Sequence, residues 1–442
     1  MPLRTESEWT AQMRGHADAL VLLDPDASDQ DLVDQLRVLE ETKAKVAAAQ
    51  VAITTRLAAS QERAQRDAGV RPDKVGLGIG SQVALAKRES TFRGGAFVQF
   101  SKVLLRELPH TYAVLAAGRT TEWRARIVVK ETVWLSPEHR AQLDAEIAPL
   151  LEGWGDRRVE QEVRTRAYRL DPRGFVERGA TAAKDRRVTV RPAPDVMSNL
   201  SAHLPVAQGV AAYAALRKHA DSLRAGGDER SVGQIMADTL VERITGQATA
   251  EAVPITVGLV MSDQTMFNAG DHSDEPAQVE GYGPIPADLA RRLLLAADAD
   301  ADLWVQRLFT RPTTGELAAI DSKARFFRGA LRKLVVARDR WCRTPWCEAP
   351  IRHGDHVVDR ADGGPTSSRN GEGLCEACNY VYNAPGWSAA AAATGAHLVV
   401  TTTPTGHRYR SLPPDPPRTS DPPERVRRPI DYRFEGCVVD VA

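Results

Sequence analysis

Apolar residues recur every seven positions in the first strongly patterned segment of the chain. The stripe consists of four aliphatic residues: Leu32, Leu39, Val46 and Ile53. Lys43 and Gln50 interrupt it, and Ser28 followed by Asp31 has the pattern of an N-terminal helix cap. The pattern predicts a long helix that begins at Ser28 and packs within the chain, with a two-chain coiled coil as the alternative.

Helical periodicity also covers four later segments: about 95–117, 137–168, 206–224 and 229–246. Residues 188–195 and 254–262 are rich in β-branched side chains and are bounded by turn residues, which predicts strands. After a polar segment at 1–27, we expect residues 28–310 to form a mainly α domain with a small α+β part near its end.

A second strong helical pattern covers residues 322–340, with Ser322 as its cap. One face of this helix is apolar: Phe327, Leu331, Leu334 and Val335. From Lys323 to Arg340 the segment contains seven basic residues and one acidic residue. Such a helix either binds phosphate groups or presents a solvated charged face. The candidate DNA contacts are Arg328, Arg332 and Lys333.

The C-terminal region predicts a short hairpin followed by a tail. Residues 396–410, within a segment at 391–412, have a strand pattern that turns at Pro404–Gly406. Seven prolines lie between Pro413 and Pro429, so we expect residues 413–442 to be disordered. The isolated Cys437 in this tail is interpreted as an unpaired thiol.

Composition narrows the class of protein. The 442 residues are 43% hydrophobic and 26% charged with zero formal net charge, which predicts a globular chain without a global field for nucleic acid or membrane. The apolar run at 253–261 is too short to span a bilayer, and the N-terminus lacks a signal-peptide pattern. We therefore expect a cytoplasmic protein in which clustered cysteines bind metal.

Four of the five cysteines lie in one stretch of the chain. They form a C-x4-C pair and a C-x2-C pair separated by 27 residues: Cys342, Cys347, Cys375 and Cys378. Two short-spaced pairs of thiolates suit tetrahedral zinc with no open position, so the zinc should be structural. Between the pairs we predict a strand at 350–358, a turn at 362–368 and a helix from 373 to Pro385.

This stretch resembles an HNH endonuclease of the zinc-pinned ββα-metal type, over about residues 338–390. The resemblance rests on "DH" at Asp355–His356, on Asn370 and on "LCEACN" at 374–379. The surrounding sequence resembles the 13E12-repeat proteins, which join a helical domain of unknown function 222 (DUF222) to a C-terminal HNH domain. This resemblance implies that residues 320–390 form an HNH nuclease domain that begins with a basic helix.

The resemblance implies a metal-dependent endonuclease that hydrolyses DNA phosphodiester bonds. His356 would accept a proton from water, since a neutral imidazole suits this role near pH 7. Asp355 and Asn379 would hold one Mg²⁺ or Mn²⁺ ion through oxygen atoms, and Asn370 would orient the His356 ring. His353 is interpreted as a supporting residue and Asn383 as a weak spare ligand.

Two departures from the family pattern leave other interpretations open. HNH proteins often have His where Asn379 stands, although an Asn still offers a carbonyl oxygen. Relatives usually carry a Lys shortly before "APGW", where this chain has Tyr382 and Asn383. One alternative is therefore a zinc-stabilised nucleic-acid-binding module without catalysis, and another is a partner-binding helical protein stapled by zinc. The sequence does not indicate an oligomeric state.

Overall fold

The structure, a computed structural model, describes residues 7–21, 25–249, 259–260, 276–279, 282–295, 327, 329–382, 384–392 and 397–415. It is mainly helical, with small antiparallel sheets. The helices are α1 (Glu8–Ala19), α2 (Asp29–Asp67), α3 (Ile79–Lys87), α4 (Thr91–Glu107), α5 (Pro109–Ala116), α6 (Glu122–Thr132), α7 (Pro137–Ile147), α8 (Asp156–Leu170), α9 (Pro172–Ala182), α10 (Val206–Ala225), α11 (Val232–Thr245), α12 (Ala287–Leu295), α13 (Gly329–Asp339) and α14 (Glu376–Tyr382).

Four small antiparallel sheets accompany the helices in the described ranges. The strands are β1 (Arg187–Ala193), β2 (Met197–His203), β3 (Leu259–Val260), β4 (Ala277–Val279), β5 (Gly283–Ile285), β6 (His353–His356), β7 (Gly371–Leu374), β8 (Ser388–Ala391), β9 (Val399–Thr402) and β10 (Arg408–Ser411). The strand orders are β1-β2, β3-β4-β5, β6-β7 and β8-β9-β10. None of the helices in this part of the chain combines the length and apolar composition needed to cross a membrane.

The chain divides into two compact units. One consists of residues 1–57 with 99–172, and the other of residues 58–98 with 173–442. The second unit therefore contains a short early segment of the chain together with the cysteine-rich C-terminal region.

Helix α2 begins where the sequence predicts. The Ser28 amide donates to Asp31 Oδ2 at 3.1 Å, and the Asp31 amide donates to Ser28 Oγ at 3.3 Å. This reciprocal pair satisfies two amides that the first turn leaves without an intrahelical partner. The predicted cap is confirmed.

The seven-residue stripe of α2 lies on the surface. Its four members are 38% to 51% exposed: Leu32, Leu39, Val46 and Ile53. The helix instead buries a face of small side chains: Ala44, Ala47, Ala48 and Val51. The helix therefore packs within the chain, as predicted, but through this face and not through the stripe. The coiled-coil alternative stays a prediction.

One predicted helix, at 95–117, is divided between α4 and α5 at Pro109. Leu108 precedes α5 and offers no side-chain cap. The fully buried Asp144 of α7 caps this helix instead. Its carboxylate accepts hydrogen bonds from the amides of His110 at 2.7 Å and Thr111 at 2.9 Å. A carboxylate at a helix N-terminus also interacts favourably with the helix dipole.

The predicted apolar face of the basic helix is confirmed. Phe327, Leu331, Leu334 and Val335 form one buried cluster. The described helix α13 begins at Gly329, and the predicted cap Ser322 lies outside the described residues.

The predicted C-terminal hairpin is also confirmed. Strands β9 and β10 pair in antiparallel register, and β8 adds a third strand that the sequence pattern did not predict. The tail at 416–442, with Cys437, lies outside the described residues, as does most of the predicted strand at 254–262.

Candidate metal centre

The four clustered cysteines converge in the structure. Cys342 and Cys347 follow α13, Cys375 joins β7 to α14, and Cys378 lies in the first turn of α14. All four Sγ atoms lie within 4.8 Å of one another. Cys347 Sγ is 3.7 Å from Cys375 Sγ and 3.6 Å from Cys378 Sγ. Zinc–sulfur bonds of about 2.3 Å in a tetrahedron place the sulfurs about 3.8 Å apart, so the cluster has the dimensions of a zinc site.

Local backbone geometry turns the first pair toward the second. Trp346 and Glu348 adopt left-handed conformations with φ of 60° and 51°, and the Cys347 amide donates to Thr344 O at 3.0 Å. On the other side, the Cys378 amide donates to Cys375 Sγ at 3.4 Å. A helix N-terminus favours a thiolate over a thiol, and a thiolate is the form that binds zinc.

The thiols also perturb one another. Hydrogen bonds from Cys342 and Cys347 hold the pKa of Cys375 well below its ordinary value of 9.0. A hydrogen bond with Cys342 lowers the pKa of Cys347 to about 7. Hydrogen bonds with Cys347 and Cys375 raise the pKa values of Cys342 and Cys378, so two of the four thiols ionise more readily than the other two.

Helix α4 reaches the same cluster from a distant part of the sequence. Thr91, the first residue of α4, has its Oγ1 3.1 Å from Cys378 Sγ. A second close approach occurs at Gly78, where φ is 84° and an added Cβ would lie 2.6 Å from Trp387 Nε1. Residues 58–98 therefore support the cysteine-rich region directly, which no local sequence pattern indicates.

A buried ion network holds the ends of this region together. Asp339, at the end of α13, accepts hydrogen bonds from Arg338, from Arg343 and from the Gly373 amide. Arg343 is also buried, and it donates to His397 O and Ser411 O at 2.8 Å each. These two arginines lower the pKa of Asp339 despite its burial. The network connects α13, β7 and the C-terminal sheet.

The cysteines flank an antiparallel hairpin, β6–β7, that is followed by α14. In this hairpin Asp355 pairs with Glu372, and His356 pairs with Gly371. The predicted strand at 350–358 is thus present in a shorter form. The helix predicted from 373 begins only at Glu376, because Gly371–Leu374 forms the second strand.

Asp355 and His356 lie at the edge of this two-stranded sheet. Neighbouring residues on a strand point to opposite faces, so the Asp355 and His356 side chains leave the sheet on opposite faces. The Asp355 carboxylate accepts a hydrogen bond from the His356 amide at 2.9 Å. Both side chains are half-buried.

The His356 ring has two close neighbours. Its Nε2 lies 2.8 Å from Thr366 Oγ1, and its centroid lies 4.8 Å from that of Phe327. Burial is the main cause that lowers the pKa of His356 from the ordinary 6.5, and the Arg360 charge adds to it. Sequence reasoning missed Thr366, which has no distinctive spacing within "DGGPTSS".

Asn370 organises the loop that carries Thr366. Its Nδ2 donates to Val358 O and Pro365 O at 2.9 Å each, and its Oδ1 accepts from the Val358 amide at 3.0 Å. Asn370 therefore holds this loop, and Thr366 is the residue within hydrogen-bonding distance of the His356 ring.

The remaining predicted residues are distributed around the hairpin. Asn379 is half-buried on α14, next to Cys378, and His353 is half-buried on β6. Arg332 and Lys333 are exposed on α13, and Arg332 donates to Arg352 O at 3.3 Å. Arg328 and Asn383 lie outside the described residues.

Glu372 is the residue at this site with the most unusual surroundings. Its side chain is 1% exposed, and its Oε2 has no hydrogen-bond partner in the described part of the chain. Burial raises its pKa to about 8. The alternating strand pattern gave no reason to expect an acidic residue inside.

The fold and the cluster define a mainly helical protein with four close cysteines near its C-terminus that could hold a zinc ion. A family profile described as "Domain of unknown function (DUF222)" matches residues 33–339, more than half of the chain. The chain belongs to this family. No curated protein and no solved structure matches it.

Proposed function

We propose that the C-terminal region is a metal-dependent HNH endonuclease that hydrolyses DNA phosphodiester bonds. One observation carries the proposal: Asp355 and His356 lie side by side on an edge strand, in a hairpin–helix unit flanked by the four cysteines. The cysteines supply a structural Zn²⁺ site with all four positions filled by thiolates, so the chemistry falls to the hairpin and α14.

The residues around Asp355 fit a second, hard cation such as Mg²⁺ or Mn²⁺. The proposed donors are oxygen atoms of Asp355 and Asn379. Glu372, which pairs with Asp355 across the hairpin, has an oxygen without a partner in the described ranges. Carboxylate and carbonyl oxygens are the ligands these ions prefer. When bound, the ion would supply positive charge that stabilises the phosphorane and the departing oxygen.

His356 is the proposed general base. Its lowered pKa keeps the imidazole neutral near pH 7, so a ring nitrogen is available to accept a proton from water. Contacts with Thr366 and Phe327 restrict the ring, and Asn370 restricts the loop that carries Thr366. A base held in one orientation loses less entropy when the proton is transferred.

We expect purified full-length protein to nick or cut supercoiled plasmid when Mg²⁺ or Mn²⁺ is present, and to stop when EDTA is added in excess of the divalent ion. The measurement is conversion of supercoiled plasmid to open-circular and linear forms on a gel. Binding without any cleavage under either ion would favour the alternative function, a catalytically inactive zinc-stabilised nucleic-acid-binding module.

Helix α13 is the proposed source of phosphate contacts. We expect the double variant R332Q/K333Q to bind duplex DNA with a shallower dependence of log affinity on log salt, by about 0.9 for each phosphate interaction that the substitutions remove. Affinity measured by fluorescence anisotropy across a salt series gives this slope. Arg217 and Lys218 form a similarly exposed pair on α10, so R217Q/K218Q is the matched control. Equal slopes for the two variants would mean that α13 presents only a solvated charged face.

A further inference from the structure

The buried Glu372 side chain lacks the compensation that buried carboxylates usually have. Its Oε2 has no hydrogen-bond partner among the described residues, although the side chain is 1% exposed. A buried ionised carboxylate is strongly disfavoured unless an opposite charge or hydrogen-bond donors lie against it. A partner other than the described side chains would compensate the charge of this carboxylate.

The two arginines whose charges act on Glu372 are engaged elsewhere. Arg343 donates to Asp339, to His397 and to Ser411. Arg338 donates to Asp339 and to the carbonyl groups of Ser368 and Gly371. Both arginines influence Glu372 through their charge, but neither hydrogen bonds to it in the described structure.

The position of Glu372 in the hairpin indicates where its partner belongs. Glu372 and Asp355 are directly paired across the two strands, so their side chains leave the sheet on the same face with Cβ atoms about 5 Å apart. Two like charges in this position repel each other, and the repulsion disappears when a cation lies between them. Magnesium sites are typically built from one or two carboxylates, with water and substrate phosphate completing the shell.

We propose that Glu372 is a further oxygen ligand of the divalent cation, beside Asp355. This inference rests on the proposed function, because it assigns a ligand to the cation site proposed there. It makes the site a pair of carboxylates on facing strands, with Asn379 on α14.

The test is Mn²⁺ binding to the zinc-loaded full-length protein, measured by electron paramagnetic resonance of the free ion, without DNA. We expect E372Q to weaken Mn²⁺ binding by roughly 10-fold or more, and D355N to weaken it as well. Glu376 is an exposed acidic residue four positions later, so E376Q changes the same charge nearby and should bind Mn²⁺ like the wild type. Zinc content and circular dichroism check that each variant is folded.

The outcomes separate this inference from the proposed function. If E372Q binds Mn²⁺ like the wild type while D355N does not, Glu372 is a neutral buried acid; the inference then fails and the cation site stands. If D355N also binds Mn²⁺ like the wild type, or if the wild type binds no Mn²⁺, both this inference and the proposed cation site fail. If E372Q does not fold, wild-type protein labelled with [¹³C]glutamate decides: hyperfine coupling between Mn²⁺ and a carboxylate carbon supports the ligand, and its absence overturns it.

Discussion

Replacing Cys375 and Cys378 together by serine should remove the zinc and unfold the cysteine-rich region. The cysteine sulfurs themselves make up most of its small buried cluster, which otherwise contains Leu374 with Ala349 and Tyr382 against it. A two-stranded hairpin such as β6–β7 is at best marginally stable without further support. Zinc contributes apparent binding free energies of about 10–16 kcal/mol in comparable small sites, and this energy acts as folding energy.

Elemental analysis and amide hydrogen exchange measure the two parts of this prediction. The wild type should hold one zinc per chain, and the double variant should hold none and lose protection across β6, β7 and α14. C437S is the matched control, because it removes the one cysteine outside the cluster and should keep its zinc. A double variant with a full equivalent of zinc would show that these thiols are not its ligands.

The sequence predicted best those features that short-range chemistry determines. The Ser28–Asp31 cap needs only two residues of one turn, and the four cysteines need only their two spacings. Helix ends were less predictable. Leu374 and its neighbours have a helical pattern, yet they form a strand that pairs with β6. The partner strand lies about twenty residues earlier in the chain, so the local pattern does not indicate the pairing.

The environment of each site residue was less predictable than its identity. Thr366 lies against His356 in a loop whose path Asn370 helps to fix through hydrogen bonds. Thr91 reaches Cys378 across 287 positions of sequence. Glu372 is buried by the packing around β7, and no periodic pattern identifies an acidic residue with that burial. Such contacts depend on tertiary packing, which the order of residue types does not specify.

Replacing His356 by alanine should reduce DNA cleavage by roughly 10² to 10⁴-fold, the usual effect of losing a positioned acid–base group. Zinc content and DNA affinity should be unchanged, because His356 is not a ligand of either proposed metal. The pH dependence follows from the lowered pKa of the ring. The neutral imidazole is the active form, so wild-type cleavage should decline as pH falls through the His356 pKa, at a lower pH than an imidazole with an ordinary pKa would give.

Plasmid cleavage across Mg²⁺ concentration and pH distinguishes a lost base from a lost ligand. Additional Mg²⁺ should partly restore D355A, because weaker binding can be overcome by mass action. It should not restore H356A, because a cation cannot accept the proton. H353A is the comparison variant, since His353 lies on the same strand with similar burial and, as a supporting residue, should lose less activity than H356A loses. Wild-type rates for H356A would show that another group accepts the proton.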